Sequence, residues 1–163
     1  MPLSPPVVLR ALGPGDGDWV IDRHAALYAA EEGYAPSFGD LVAGIVSGFL
    51  QDHDPARERG WIAWQDGRRL GSIFCRADGP RTARLRLFLL EPAARGTGLA
   101  QRMLDECLTF ARAAGYQDMR LWTHESHRAA CRLYARNGFA MVESTPARAF
   151  GQDVVDQIWH RML

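Results

Sequence analysis

Two hydrophobic periods alternate along this chain. Four segments carry apolar residues every three or four positions, which is the pattern of an amphipathic helix. They begin near Asp16, after Ser37, at Thr97 and after Ser126. Ser37 and Ser126 are the predicted N-caps of the second and fourth helices. The first, third and fourth helices are followed by glycines that can adopt the left-handed conformation of a helix end, namely Gly33, Gly115 and Gly138.

The segments between the helices are predicted to be strands, because their apolar and polar residues alternate. Asp66-Gly67 joins two of them in a predicted hairpin. The residues just before Leu90 are all apolar, which indicates a strand end that is buried on both faces. The strand-like runs are Val7–Leu12, Trp61–Trp64, Leu70–Arg76, Ala83–Leu90, Asp118–Thr123, Phe139–Glu143 and Val154–Trp159. This order of elements predicts a mixed α/β fold of the α+β kind.

Length and composition indicate one globular domain over residues 1–163. The chain has 163 residues, 47% hydrophobic and 23% charged, without an internal repeat or a convincing linker. The 19 basic residues balance 19 acidic ones, so no strong field is available to gather nucleic acid or anionic lipid. No apolar run approaches the ~20 residues of a membrane span, and no export signal is recognisable. The expectation is a cytoplasmic protein without nucleic-acid or membrane partners.

The inventory of side chains removes several kinds of chemistry. Cys75, Cys107 and Cys131 are too few and too scattered for a disulfide framework or a metal centre. All 19 basic residues are arginine. A chain without lysine cannot use a lysine Schiff base or a Walker phosphate loop.

One junction joins a buried strand to a long helix through a tight glycine turn. Its sequence is Leu90-Glu91-Pro92-Ala93-Ala94-Arg95-Gly96-Thr97-Gly98-Leu99-Ala100. An open helix N-terminus presents unpaired N–H groups and a partial positive charge, and glycines let a phosphate approach the backbone. The turn is therefore a candidate phosphate site, although its glycines could also serve only to shape the loop.

A dinucleotide-binding turn does not fit this junction. It needs a third glycine where the chain has Gln101, and an acidic residue at the end of the next parallel strand, where the chain has His124. What remains is the pattern Arg-x-x-Gly-x-Ala at Arg95, Gly98 and Ala100.

This pattern resembles the acetyl-CoA loop of the GNAT superfamily of N-acetyltransferases, Gln/Arg-x-x-Gly-x-Gly/Ala. The last predicted helix is also similar to that family, because it carries the pair Leu133-Tyr134 and ends at Gly138-Phe139. The resemblance covers most of the chain from about His24 onward. Three segments look most like the acetyltransferase domain fused to MarR-type regulators: Asp54–Ala63, Leu85–Leu87 and Phe150–Asp153.

The resemblance implies a mostly antiparallel central sheet with helices on both faces. One parallel pair, Ala83–Leu90 with Asp118–Thr123, is expected to be splayed apart by a bulge. The pantetheine of acetyl-CoA would lie in that gap against the backbone of Leu89 and Leu90. The residues implied for the rest of acetyl-CoA are Arg95, Gly96, Thr97, Gly98, Leu99, Ala100 and His127, the last standing near the place of a family asparagine.

The resemblance also implies direct attack of an amine on the thioester, without a covalent enzyme intermediate. Tyr134 corresponds to the family's proton donor for the leaving thiolate. Glu32 is the predicted catalytic base, with Glu31 and Glu91 as alternatives. The competing interpretations are that Tyr134 only packs in the core and that the carboxylates are simply solvated.

The acceptor is expected to contact Arg84, Arg86, Glu31 and His124. Arg84 and Arg86 point the same way from one strand and suit a substrate carboxylate, which favours amino acids or small peptides over polyamines. A solvated strand face would explain the two arginines equally well. His124 could hold the substrate, act as a base or lie in a surface loop.

Two functions from different classes are consistent with these residues. The first is an N-acetyltransferase that moves an acetyl group from acetyl-CoA to a primary amine of a small molecule or peptide. The alternative is a non-catalytic acyl-CoA sensor or a partner-docking module with the same fold. Tyr134 and the intact glycine turn favour the enzyme, whereas the missing asparagine favours the sensor. A homodimer is left open, because free C-terminal strands in this fold often mediate dimers.

Overall fold

The computed structural model describes residues 4–163, which form seven strands and four α-helices. The strands are β1 (Val8–Ala11), β2 (Arg59–Gln65), β3 (Arg68–Ala77), β4 (Thr82–Leu90), β5 (Asp118–His124), β6 (Ala140–Ala149) and β7 (Gln152–Met162). The helices are α1 (Asp16–Glu32), α2 (Ser37–Gln51), α3 (Leu99–Ala113) and α4 (Arg128–Arg136), and a short 3₁₀ turn spans Pro92–Ala94.

All seven strands belong to one sheet with the order β1-β2-β3-β4-β5-β7-β6. Only β4 and β5 run parallel, and each of the other neighbouring pairs is antiparallel. The predicted fold class, a mostly antiparallel mixed sheet with one parallel pair, is confirmed. Within residues 4–163, none of the helices has the length and apolar character needed to cross a membrane.

Alternation along the central strands sends side chains to both faces of the sheet. Trp61 and Ile73 pack with α3 and α4 on one face, in the larger hydrophobic cluster. Ile62 and Phe74, their neighbours in sequence, pack with α1 and α2 on the other face. Helices therefore cover both faces, as predicted.

A β-bulge interrupts β4 where the sheet opens. Ser72 pairs with Leu89 and Phe74 pairs with Arg86, so two residues of β4 lie opposite Ile73. Leu87 adopts a positive φ of 49°, and its carbonyl oxygen accepts a hydrogen bond from Ser72 Oγ at 2.7 Å. The bulge bends β4 away from its parallel neighbour.

The parallel ladder is correspondingly short. It runs from the pair Thr82 and Asp118 to the pair Leu85 and Leu121 and ends there. Beyond Leu85, β4 bonds only to β3, and the end of β5 bonds only to β7. A gap therefore opens between the last residues of β4 and β5, as the predicted splayed pair requires.

The two predicted serine caps are wrong. Ser37 is already the first helical residue of α2, and Pro36 precedes it without a side-chain cap. Ser126 lies in the turn before α4, whose N-cap is His127, because a hydrogen bond from His127 N to the carbonyl of His124 delays the helix start. Neither serine caps its helix.

The last two strands are longer than their hydrophobic pattern indicates. They meet at the two-residue turn Phe150-Gly151, whose φ values of 54° and 75° match a type I′ hairpin. β6 is the sheet edge and is mostly exposed, so it shows little apolar alternation and tolerates Pro146.

Replacing Gly71 by alanine is expected to destabilise the fold where the sheet opens. A Cβ at Gly71 would lie 2.6 Å from the backbone oxygen of Leu89, which cannot move without shifting β4. We expect a loss of about 1–3 kcal/mol in the free energy of unfolding, measured by urea denaturation.

Gly44→Ala is the control for this substitution. Gly44 lies inside α2, and a Cβ there meets nothing within 4 Å. Alanine should therefore stabilise the helix by about 0.5–1 kcal/mol. If Gly71→Ala unfolds at the same urea concentration as the parent, β4 is not held as closely as described.

Candidate functional site

Two cavities meet at the gap between β4 and β5. The larger has a volume of about 580 Å³ and the smaller about 270 Å³. Both are lined in part by Tyr28, Phe88, His127 and Ala130, so these side chains stand where the two spaces join.

The glycine turn opens into the larger cavity. Gly96 and Gly98 have φ values of 74° and 85°, in the left-handed region that glycine favours. Among residues 4–163, the N–H groups of Gly96, Thr97 and Gly98 donate to no backbone carbonyl. The first backbone N–H of α3 with a partner is that of Arg102, which donates to Gly98. The turn and the first residues of α3 thus present several unpaired donors, the arrangement that binds phosphate groups.

Most residues predicted for the cofactor line the larger cavity. These are Leu89, Leu90, Arg95, Gly96, Gly98, Ala100 and His127. The side chains of Thr97 and Leu99 have other partners: Thr97 Oγ1 donates to the carbonyl of Ala94 at 2.6 Å, and Leu99 packs in the core. Neither residue lines this cavity.

The three candidate carboxylates have different partners. Glu31 accepts two hydrogen bonds from Arg95, at 2.7 and 3.1 Å, and both residues line the larger cavity. Glu32 lines the same cavity. Glu91 is engaged by Arg23, with 2.9 Å between Arg23 Nη2 and Glu91 Oε2. Glu31 is therefore near the glycine turn and not beside the arginines with which it was expected to share a substrate.

One side of the smaller cavity is apolar. Leu41 and Ile45 of α2, together with the rings of Phe38 and Phe150, form much of its surface. Val42 and Val46 of the same helix are buried in the core. The predicted apolar stripe of α2 is thus wider than the core requires, and its outer part forms the cavity.

Arg84 and Arg86 line this smaller cavity without a carboxylate partner. Neither forms an ion pair within residues 4–163, and the Nε of Arg84 is buried with no hydrogen-bond partner. The Arg84 guanidinium lies 3.9 Å above the ring of Trp122. Burial, and then repulsion from Arg84 and Arg76, lowers the pKa of Arg86 to about 10. The cavity therefore holds two partly desolvated cations that a bound anion would stabilise.

His124 and His127 belong to a polar cluster between the cavities. The Tyr34 hydroxyl is hydrogen-bonded to His124 Nδ1 and lies 3.4 Å from His127 Nε2. His124 Nε2 is 3.0 Å from an oxygen of Asp156, and His127 Nε2 is 3.6 Å from an oxygen of Glu32. Burial lowers the pKa of His127, against the opposing charge of Glu32.

Sequence reasoning missed Tyr34 and Asp156 in this cluster. A large aromatic residue directly after Gly33, the glycine that ends α1, was the available signal for Tyr34. Asp156 reaches His124 only through strand pairing, because these two residues are opposite each other in the register of β5 and β7. No local pattern in the sequence reports that pairing.

Tyr134 both packs in the core and lines the smaller cavity. Its ring contacts that of Phe139 edge-on, with 5.7 Å between centroids. Burial raises the pKa of Tyr134, so its phenol remains protonated in the neutral range. Cavity lining and core packing are both properties of this one side chain.

Two further residues of α1 stand at the cavity wall. Burial raises the pKa of Tyr28 to about 12. His24 Nδ1 is bonded to the carbonyl of Val20 at 2.7 Å, and its buried Nε2 has no partner among the described residues. Burial lowers the pKa of His24 to about 4.

In residues 4–163, no group of three or more His, Cys, Asp or Glu is placed to hold a metal ion.

Comparison with known proteins gives concordant matches. The model of the acetyltransferase (GNAT) family matches residues 18–139. Mycothiol acetyltransferase from Salinispora arenicola is 31% identical over 149 residues, which cover 85% of this chain and 46% of that protein. The mycothiol acetyltransferase of Geodermatophilus obscurus matches over 28% of its length. The chain thus spans less than half the length of the curated relatives it matches.

Solved structures with this fold include two acetyltransferases. The GNAT-family acetyltransferase from Streptococcus pneumoniae superimposes with a TM-score of 0.76 at 15% identity, over 97% of this chain and 99% of that chain. A GCN5-related N-acetyltransferase from Kribbella flavida gives a TM-score of 0.75 at 20% identity, over 96% and 98%. At such identities the likeness concerns the fold alone.

Because His24 is buried, we expect part of the free energy of unfolding to be lost in acid. Its folded-state pKa of about 4 lies below the ordinary 6.5, so the unfolded chain binds the proton more readily. Stability falls as the pH drops from about 6.5 to about 4, by roughly 3 kcal/mol for this one group. Urea denaturation at several pH values in this range measures the loss.

His24→Phe provides the comparison, because phenylalanine keeps a ring and cannot be protonated. The free energy of unfolding of this variant should fall less steeply between about pH 7 and pH 4. Other titrating groups act equally in both proteins, so the difference between the two slopes isolates His24. Parallel slopes would show that His24 is not buried in its neutral form.

Proposed function

Because this chain belongs to the acetyltransferase (GNAT) family, we propose that it transfers an acetyl group from acetyl-CoA to a primary amine of a small molecule or peptide. The observation that carries the proposal is the meeting of two cavities at the gap in the sheet, one beside the glycine turn and the other beside the free arginines. We treat residues 1–163 as a single acetyltransferase domain. The segments Asp54–Ala63 and Phe150–Asp153 support a closer likeness to the domain fused to MarR-type regulators.

The larger cavity is proposed to hold acetyl-CoA. The unpaired N–H groups from Gly96 onward suit the pyrophosphate, and the free edge of β4 at Leu89 and Leu90 suits the amides of pantetheine. Glu31 accepts two hydrogen bonds from the Arg95 guanidinium and so fixes it beside this turn. The two charges cancel, and the pair is neutral overall.

The smaller cavity is proposed to hold the amine. Its volume of about 270 Å³ is slightly below the usual range of ligand pockets, which favours a small acceptor. Arg84 and Arg86 would bind a carboxylate on that acceptor and recover the stabilisation that their burial removes. Amino acids and short peptides are therefore favoured over polyamines, whose positive charges the arginines repel.

Chemistry would take place where the cavities join. Tyr134 is proposed to give its proton to the departing thiolate, since its phenol is protonated near neutral pH and its side chain lines the smaller cavity. Glu32, the predicted base, lines the larger cavity and lies 3.6 Å from His127 Nε2. A backbone N–H near Leu90 would stabilise the oxyanion of the acyl group.

A pair of substitutions at Gly98 tests acetyl-CoA binding. Gly98→Asp places a carboxylate where the pyrophosphate is proposed to lie, whereas Gly98→Asn places a neutral group of the same shape. Both residues tolerate the positive φ of 85° better than most, so the two variants share the same backbone cost. Calorimetry should show acetyl-CoA binding weakened by about 10-fold or more in the aspartate variant relative to the asparagine variant.

Equal affinities in these two variants would place the phosphates elsewhere.

Activity is measured separately in the parent protein by release of the CoA thiol, with phenylalanine, phenethylamine, a dipeptide and spermidine as acceptors. If acetyl-CoA binds but no acceptor causes release of the CoA thiol, the proposed enzymatic function is contradicted and the acyl-CoA sensor is favoured.

Arg86→Gln tests the proposed carboxylate contact. Phenylalanine and phenethylamine differ only in that group, so the ratio of their kcat/KM values reports it. We expect the parent to prefer phenylalanine and the variant to lose that preference by about 10-fold or more, the size of a hydrogen bond to a charged group. Arg68→Gln, at the exposed start of β3, is a control that should leave the ratio unchanged. Equal ratios in the parent and Arg86→Gln would show that the arginine face does not bind the acceptor.

A further inference from the structure

We infer that Asp156, His124 and Tyr34 form a proton relay that deprotonates the acceptor amine, with Tyr34 touching the amine and His124 taking the proton. The inference rests on the proposed function and replaces Glu32 as the base of that reaction, because Glu32 lines the larger cavity and not the one proposed for the amine. All three side chains line the smaller cavity.

The three residues come from separate elements that the fold holds together. Tyr34 follows Gly33 in the turn between α1 and α2, and its ring packs against Phe38 and Phe150, each with 5.2 Å between centroids. His124 is the last residue of β5, and Asp156 is its partner on β7. Packing and strand register thus fix both ends of the relay, so its geometry does not depend on a flexible loop.

The hydrogen-bonding capacity of each group sets the direction of the relay. An ionised Asp156 only accepts, so His124 donates its Nε2–H to that carboxylate. His124 Nδ1 is then an acceptor, and the Tyr34 hydroxyl donates to it. One lone pair of the Tyr34 oxygen faces His127 Nε2 at 3.4 Å, and the other is left for an N–H donor in the cavity.

An ammonium group has such a donor and cannot attack a thioester until it loses the proton. In the relay, its N–H bond breaks as the proton moves to the Tyr34 oxygen, while the Tyr34 proton moves to His124 Nδ1. The products are a neutral amine, an unchanged tyrosine and an imidazolium paired with Asp156. A carboxylate that orients an imidazole and stabilises its charged form is the arrangement of catalytic triads.

Tyr34 passes the proton on to His124 and is not itself deprotonated before the amine binds. Its burial, and next the negative charge of Glu32, raise the pKa of the phenol. A free phenolate is therefore not populated near neutral pH. The proton must pass through Tyr34 to a group that can keep it, and His124 is bonded to it directly.

The other charged and titratable groups around the cluster are compatible with this route. His127 of α4 lies 3.4 Å from the Tyr34 oxygen, and Glu32 of α1 lies beside His127, with Glu31 one residue before it. Arg84 and Arg86 of β4 and the neutral His24 of α1 line the same cavity. Since the two arginines oppose a lasting ammonium there, they favour deprotonation of the amine. Asp156 is half exposed, so the proton can leave His124 toward solvent.

His124→Gln tests the relay, because glutamine keeps polar groups at this position and cannot bind a proton. Two acceptors are compared: the fastest amine of the panel and its analogue with fluorine on the neighbouring carbon, for example phenylalanine and β,β-difluorophenylalanine. Fluorine lowers the basicity of the amine, so the analogue needs little help in losing a proton. We expect kcat/KM to fall by about 10²–10⁴-fold for the basic amine and far less for the analogue, with acetyl-CoA affinity unchanged.

Two more variants separate the role of Asp156, which positions His124, from that of Tyr34, which passes the proton. Tyr34→Phe should show the same selective loss for the basic amine. Asp156→Asn should shift the break in the pH profile of kcat/KM to lower pH, because the carboxylate that stabilises the imidazolium is gone, and His124→Gln should abolish the break.

His160→Gln is the matched control. His160 pairs with Asp118 at 2.8 Å at the opposite end of β5 and lines neither cavity. It should leave kcat/KM and its pH profile unchanged for both acceptors. If His124→Gln and Tyr34→Phe reduce turnover of both acceptors equally, with an unshifted pH profile, the cluster only supports the cavity and the relay is wrong. Failure of the parent to release thiol with every amine would instead overturn the proposed function, and the relay with it.

Discussion

The bulge in β4 is the constraint on which the rest of the site depends. A strand that continued in register with β5 would close the gap and leave no free backbone edge between them. Ser72 holds the bulge by bonding the carbonyl of Leu87, and Gly71 lets the strands approach closely just beyond it. Burial of a hydroxyl that is fully bonded costs little, so a single serine can stabilise a conformation that a regular sheet would reject. Both cavities, and the polar cluster between them, follow from this local irregularity.

Charge is distributed unevenly across the molecule. Elsewhere in the described chain, partly buried arginines pair with a carboxylate, as Arg69 does with Asp16 and Arg76 with Glu58, or donate to backbone carbonyls, as Arg57 and Arg161 do. Arg84 and Arg86 have neither kind of partner among the described residues, although burial lowers the pKa of both. Such a local violation of an otherwise consistent pattern is typical of a functional site, where some stability is given up for binding.

Much of the fold could be predicted because its signals are local. Helical and strand periods, the Asp66-Gly67 hairpin and the glycine turn at Arg95 each occupy a few consecutive residues. Contacts between distant segments could not be predicted in this way. Asp156 reaches His124 because β7 lies between β5 and β6, and Glu31 bonds Arg95 because the C-terminal end of α1 lies beside the glycine turn. The two serine caps were wrong for a related reason: a backbone turn set each helix start, and a capping side chain was not needed.

The use of arginine throughout has a chemical consequence for a cavity that is proposed to lie beside an acetyl donor. A buried lysine readily loses its proton and becomes a nucleophilic amine, whereas a guanidinium remains protonated in proteins. With Arg84 and Arg86 as its cations, the smaller cavity attracts anions without containing a primary amine of its own. A lysine at either position would compete with the acceptor for the acetyl group and would lose its charge once acetylated. The part of the wall formed by Arg84 and Arg86 is therefore positively charged and does not react with the acetyl group.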